Sequence, residues 1–264
     1  GAQNRPGAST TMRMPTLVTL CVLLAAAPVA ADLPATVAKV KPSIVAVGTF
    51  MALRGTQKQP RGTGFVVGGR YVVTNSHVLP AKLDEGRRET LAVYLPAPGN
   101  RIAMRNATLL QDDPSHDLAL LRIDGAALPS LALGNSADVQ EGETAAFTGY
   151  PILTALGLHP ATHQALIAAI SPVAIPVPSG KQLSPEMLQR LSAPFDVFQL
   201  DAVAYPGNSG SPLYDPDTGR VIGVINSVFV KTTKEAAISA PSGITYAVPV
   251  DHVRALLRKA GVKP

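Results

Sequence analysis

Tryptophan is absent from this chain of 264 residues, and cysteine occurs once, at Cys21. A chain that loses its first thirty-one residues would hold no Cys at all, which excludes a disulfide scaffold for the remainder. Charged residues make up only 16% and hydrophobic ones 46%. That balance is too apolar and too weakly charged for disorder. The positive excess is small. Lys and Arg number 23 against 18 Asp and Glu, a net charge of +5. Arg5 and Arg13 supply two of those charges, and no basic run exceeds a dipeptide such as Arg87-Arg88. No electrostatic stripe for a nucleic acid is present. Internal repeats, heptad arrays and low-complexity tracts are missing as well. The longest apolar run, 15–31, is broken by Pro15 and Pro28 and falls short of the roughly 20 residues that cross a bilayer.

That run has another use. It follows Met12-Arg13-Met14 and ends in Val29-Ala30-Ala31, a positive charge, an apolar stretch and a small-residue cleavage pattern. Residues 1–31 are therefore expected to be a signal peptide with its upstream residues. Residues 32–264 would be the mature domain, exported to the periplasm or the medium of a bacterium, with no stable membrane span after cleavage. Cys21 is preceded by Val18-Thr19-Leu20 rather than by small residues, which argues against lipid attachment there.

What the chain does have is punctuation, with 24 Pro and 22 Gly. Between these lie many short β-branched runs: 43–50, 65–67 and 71–73 about Gly68-Gly69, 91–95, 107–111, 118–123, 144–148, 166–170, 197–200, 221–227 and 245–248. Glycine tolerates the positive φ of tight primed turns, so Gly68-Gly69 reads as a hairpin. Short strands with turns between them point to an all-β barrel or sandwich rather than βαβ units. Residues 33–41 carry apolar positions at helical spacing and stop at Pro42. A terminal helix over 251–260 has the stripe Val253, Leu256, Leu257, Ala260, with Asp251 as its cap and Gly261 as its stop. A second short helix is expected over 185–191. Residues 54–62, 80–88 and 173–194 read as loops.

Three segments carry chemistry. Thr74-Asn75-Ser76-His77-Val78 follows a strand. In 113–120, Asp117 stands at the mouth of an apolar strand. In 201–213, Ser209 lies between Gly207 and Gly210, where backbone turns sharply and N–H groups can aim at a ligand. Each is bland alone: a lone His packs, an Asp caps a strand, and Gly-Asn-Ser-Gly makes a tight loop. His116 competes with His77, and Asp113 with Asp117. Together they supply what attack on an amide needs: a hydroxyl, a base for its proton, and a carboxylate to hold that base. Their order, His then Asp then Ser, is that of chymotrypsin-type barrels.

The stretches 62–79 (GTGFVVGGRYVVTNSHVL), 113–123 (DPSHDLALLRI), 199–215 (QLDAVAYPGNSGSPLYD), 219–227 (GRVIGVINS) and 243–253 (GITYAVPVDHV) resemble the chymotrypsin-like serine proteases. Within these they are most similar to the HtrA/Deg group. The resemblance implies two packed six-stranded antiparallel β-barrels, about 43–135 and 143–250, with a C-terminal α-helix. It implies His77 as base, Asp117 as its partner, Ser209 as nucleophile, and the N–H groups of Gly207 and Ser209 as an oxyanion hole. His116 and Asp113 fall at positions of the motif that need not be His or Asp. No metal or cofactor is implied, and the partners are protein or peptide substrates.

The chain also departs from that group. Ser211 stands where a second glycine is usual. The strand at Ile225, Asn226 and Ser227, the candidate for pairing with substrate, looks one residue longer. The loop 173–194 also looks longer, and residues 176–192 of it are expected to overhang the specificity pocket. No PDZ domain follows the terminal helix within these residues, and 32–43 lack the aromatics that pin the group's trimers, so a monomer is expected. The sequence reads as a secreted or periplasmic serine endopeptidase. The competing reading is a protease-fold protein that binds peptides without turnover.

Overall fold

The computed structural model describes Gly1 and residues 32–53, 57–99, 101–153, 157–172, 194–226 and 244–263. Twelve strands form two closed antiparallel barrels. The first holds β1 (Ile44–Met51), β2 (Lys58–Val67), β3 (Tyr71–Thr74), β4 (Glu89–Ala97), β5 (Arg101–Asp113) and β6 (Leu118–Ile123). The second holds β7 (Thr144–Gly149), β8 (Ala161–Pro172), β9 (Asp196–Asp201), β10 (Pro212–Tyr214), β11 (Val221–Asn226) and β12 (Ile244–Pro249). Around the first barrel the order is β1-β2-β3-β6-β5-β4, and around the second β7-β8-β9-β12-β11-β10. The two barrels thus share one connectivity. Helix α1 (Leu33–Val40) precedes the first barrel and α2 (Val250–Lys259) follows the second. The all-β, two-barrel architecture with a terminal helix is as the sequence led us to expect.

Three cores account for the apolar runs. Val45, Val47, Val66, Val72, Val93 and Leu121 fill the first barrel. Phe147, Ile167, Phe198, Leu200, Leu213 and Ile225 fill the second. A third cluster joins Ile44, Phe65, Tyr94, Leu118 and Leu120 of the first barrel to Tyr150, Tyr214, Val224 and Val248 of the second, and to Leu256 of α2. Strands β1, β6 and β11 therefore bury both faces, which is why they read as continuous apolar stretches rather than alternating ones. β5 and β8 remain largely accessible along their lengths. The Tyr150 hydroxyl, set deep in this shared core, donates to the Ile44 carbonyl at 3.2 Å across the two barrels.

Several expectations need correction. Residues 58–62, read as loop, belong to β2, which pairs with β1 through Lys58. Its first half is polar and half-exposed, so no strand period shows there. β10 escaped notice because it is three residues long, begins with Pro and follows directly on the Gly-rich turn. Asp251 does not cap α2, since the helix starts one residue earlier with Pro249 in the capping position. β12 runs straight into α2; the Asp251 N–H, a first-turn donor, is met by Ser136 Oγ at 3.3 Å, and the Asp251 carboxylate accepts from Arg254 at 3.2 Å. The other end is as expected. Gly261 (φ +69°) and Val262 donate to the carbonyls of Arg258 (3.0 Å) and Leu257 (2.9 Å), the paired bonds of a Schellman stop. The short helix expected over 185–191 and the overhanging loop 176–192 lie outside the described residues.

Candidate active site

β3 ends at Thr74, whose Oγ1 donates to the Thr63 carbonyl at 2.7 Å. A single 3₁₀ turn, Ser76–Val78, then presents His77. Asp117 closes the turn between β5 and β6 with φ +53°, a left-handed conformation that Asp adopts more readily than most residues. That conformation turns both of its acceptors toward the His77 segment. The Asp117 carbonyl accepts from Ser76 N–H at 3.1 Å and from Asn75 Nδ2 at 2.9 Å. Its carboxylate accepts from the His77 backbone N–H at 2.9 Å on Oδ1. On Oδ2 it meets His77 Nδ1 at 2.6 Å and the Asn226 amide at 2.6 Å. Asp117 is only 4% exposed. An ionised carboxylate only accepts, so it fixes the proton of neutral His77 on Nδ1 and leaves Nε2 as the acceptor.

Ser209 sits on two consecutive turns. Asn208 N–H donates to Tyr205 O at 3.0 Å and Ser211 N–H to Asn208 O at 3.0 Å. Gly207 (φ +102°) and Gly210 (φ +88°) occupy the third positions, where a type II turn requires positive φ. Crowding adds to the requirement. A Cβ on Gly207 would lie 2.3 Å from the Tyr150 carbonyl, and one on Gly210 2.0 Å from the Thr63 carbonyl. Ser211 finds its space in the same way, because a Cβ on Gly149 would lie 1.9 Å from the Ser211 Oγ. A bare Gly149 is thus what lets a serine stand where a second glycine is usual.

One strand ties these pieces together. Ile225 of β11 accepts Gly210 N–H at 2.9 Å and donates to the Ser211 carbonyl at 2.9 Å. The next residue, Asn226, holds Asp117. From the first barrel, Thr63 N–H donates to the Ser209 carbonyl at 2.9 Å. The structure thereby brings the Ser209 turn and the His77–Asp117 pair to one junction between the barrels. The carbonyls flanking Ser209 and Gly207 are also anchored. Pro206 O accepts from Ile152 N–H at 2.7 Å, and Asn208 O from Ser211 N–H. In a trans peptide the N–H points opposite to its C=O, so Gly207 N–H and Ser209 N–H are directed away from those anchors.

Of the substrate-strand candidates, Ile225 has a fully buried side chain and spends its backbone on the Ser209 turn. Asn226 ends β11, and Ser227 lies outside the described residues. The competing residues form a separate pair. His116 Nδ1 meets Asp113 Oδ2 at 2.8 Å, and Ser115 Oγ donates to Asp113 Oδ1. Lys259 Nζ of α2 stands 3.8 Å from Asp113. Burial would push the Asp113 carboxyl up, but the hydrogen bonds from Ser115 and His116 and the two nearby positive charges hold it below its usual value. The His116 ring stacks on His252 with centroids 4.0 Å apart and tilts against Phe195 at 4.7 Å. Two participants went unnoticed in the sequence, the amide of Asn226 as a partner of Asp117 and the hydroxyl of Thr63. The one signal for Thr63 is a polar residue inside an apolar strand, between Gly62 and Gly64. Among the described residues no three His, Cys, Asp or Glu side chains converge as metal ligands would.

Known proteins match this chain in sequence and fold. Residues 62–224, more than half of the chain, match the family model described as "Trypsin-like peptidase domain". A "Probable periplasmic serine endoprotease DegP-like" of Pseudomonas fluorescens is 31% identical over 199 residues, 75% of this chain and 34% of that protein. A protein of the same description from Halomonas elongata is 29% identical over 200 residues, 74% of this chain and 34% of its own length. The chain thus spans about a third of the length of these curated relatives. Among solved structures, the HtrA-type protease AlgW with tripeptide superposes with a TM-score of 0.61 at 25% identity, over 86% of this chain and 63% of that one. The Rv3671c protease in its inactive form superposes with a TM-score of 0.59 at 24% identity, over 86% of this chain and 93% of that one. On fold, motif order and family match together, the chain belongs to the trypsin-like peptidases, in the HtrA group of the chymotrypsin-like serine proteases.

Proposed function

We propose that the protein is a periplasmic or secreted serine endopeptidase, acting as a monomer on protein or peptide substrates. Ser209 Oγ attacks the scissile carbonyl and gives its proton to His77 Nε2. His77 returns that proton to the leaving amine, and a water activated by the same nitrogen frees the acyl group from Ser209. Asp117 holds the His77 tautomer and stabilises the imidazolium. Gly207 and Ser209 offer their N–H groups to the oxyanion, and one such donor is typically worth about 10²–10³ in rate. The peptide would lie along the end of β11 at Asn226 and Ser227. Proteins of similar sequence are named periplasmic serine endoproteases, which supports the assignment of compartment.

The observation that carries this reading is the Asp117 carboxylate, buried and bonded at once to His77 Nδ1 and to a residue 109 positions away on the strand that grips the Ser209 turn. The test is labelling by a fluorophosphonate probe of wild type, Ser209→Ala and His77→Ala. Wild type alone should label. Folded wild type that stays unlabelled would reject an activated Ser209 and favour peptide binding without turnover.

A further inference from the structure

Thr63 belongs to the first barrel, yet all its polar atoms point at the Ser209 turn or its supports. Its N–H donates to the Ser209 carbonyl at 2.9 Å, and its carbonyl accepts from Thr74 Oγ1. Its hydroxyl donates to the Gly207 carbonyl at 2.6 Å and accepts from Tyr150 N–H at 3.0 Å. A hydroxyl has one proton to give and lone pairs to receive, so these two bonds use its proton and fix its direction. The residue is fully buried, and in low dielectric both bonds are stiff and both partners are costly to orphan.

The consequence is geometric. The Gly207–Asn208 peptide is held at both ends, its oxygen by Thr63 and its N–H by Tyr205. The preceding peptide is held by Ile152, whose N–H meets Pro206 O. Ile152 itself has φ +45°, a conformation a β-branched residue adopts only under constraint. Gly207 has no side chain to resist rotation of either plane, so these outside bonds set where its N–H points.

We propose that Thr63 is a positioning residue for the reaction. Its hydroxyl holds the Gly207 carbonyl and, through Tyr150 N–H, the segment whose Ile152 N–H holds the Pro206–Gly207 peptide, so that the Gly207 N–H faces the developing oxyanion and this setting depends on the docking of the two barrels. The proposal rests on the endopeptidase reading for its effect on rate, but the clamp itself can be tested without activity. Three forms are compared: wild type, Thr63→Ser, which keeps the hydroxyl, and Thr63→Val, which keeps the shape. Hydrogen exchange of peptides covering 149–153 and 204–211 reads the clamp directly. Exchange should quicken at the Tyr150 and Asn208 amides in Thr63→Val and stay near wild type in Thr63→Ser. On a peptide substrate, kcat of Thr63→Val should fall on the order of 10²-fold with KM little changed, since a misplaced donor is lost only in the transition state. Thr63→Ser should stay within about tenfold of wild type on the same grounds. Wild-type exchange and kcat in a folded Thr63→Val would overturn the proposal, as would a Thr63→Ser defect as large as that of Thr63→Val. Should wild type itself neither label nor cleave, the endopeptidase reading falls while the exchange pattern still decides the clamp.

Discussion

Two His–carboxylate pairs lie within a short stretch of this chain, and they are built in opposite ways. His116–Asp113 is local. Its partners are two and three residues apart, and α2 adds Lys259. His77–Asp117 is assembled from afar. Its members are 40 positions apart, and Asn226 is 109 from Asp117. The distances scarcely differ, 2.8 Å against 2.6 Å. What differs is where the imidazole faces. His116 stacks on His252 and meets Phe195, two rings that also touch each other at 5.0 Å, so its ring is spent on packing. The two side chains are almost equally accessible, 29% for His77 against 26% for His116, but His77 stands at the junction with the Ser209 turn. A His–Asp hydrogen bond by itself therefore says little about chemistry. The local pair closes a turn against a helix; the long-range pair joins two distant turns of the first barrel and takes a third partner, Asn226, from the second.

The sharpest way to break this comparison is to remove the charge from each carboxylate in turn. Asp117→Asn would offer His77 an amide in place of a pure acceptor and release the tautomer, for a loss of about 10⁴ in kcat. Asp113→Asn should cost less than tenfold in kcat/KM, because nothing it holds touches the reacting atoms. Steady-state kinetics on one fluorogenic peptide compares them, and equal losses would give the second pair a part in the reaction.

The Asn226 amide sharpens the same contrast. It supplies the Asp117 Oδ2 with a donor from the other barrel, where Asp113 relies on Ser115 beside it. Hydrogen bonds to charged groups contribute about 1.5–3 kcal/mol, so Asn226→Ala should lower kcat roughly 10- to 100-fold through looser aim of Asp117. KM should hold, and crystals of the variant should show His77 in more than one ring orientation. An unchanged kcat would reduce Asn226 to a strand terminus.

How far the sequence reached depends on the range of each interaction. His77, Asp117, Gly207 and Ser209 were legible as candidates because each sits in a local context, a strand end or a glycine turn, that survives in one dimension. The barrel interiors were legible as β-branched runs. Asn226 and Thr63 were not, because their meaning lies in partners 109 and 144 positions away, and no period or turn signal encodes such a partner. Asp251 shows the reverse error. It looked like a cap because Asp commonly is one, but β12 runs on into a helix that begins a residue before it, and Ser136 of a distant segment meets its N–H. His116 and His77 could not be separated by residue type, since both stand beside an Asp in the folded chain; only the family motif distinguished them.

The smallest effect expected is one of pH, and it belongs to the local pair. Burial, with the positive charge of a protonated His116 stacked on it, pulls His252 down to about 4, although Asp113 and Asp251 act in the opposite direction. The folded protein thus keeps His252 neutral where the unfolded chain, near the ordinary value of about 6.5, begins to bind a proton. Between those values the unfolded state holds more protons, so stability rises with pH and is lost as pH falls from about 6.5 toward 4. Asp113, held below its usual value, adds its own loss only at the acid end of that window and beyond. His252→Gln removes the first contribution and leaves the second. Melting followed at pH 7 and pH 5 should show a fall of a few degrees in wild type and a smaller one in His252→Gln. The variant should leave kcat at pH 7 near wild type, because the ring it removes packs on His116 and not on His77 or the Ser209 turn. An equal fall in both proteins would place the acid sensitivity elsewhere in the fold and sever the local pair from it.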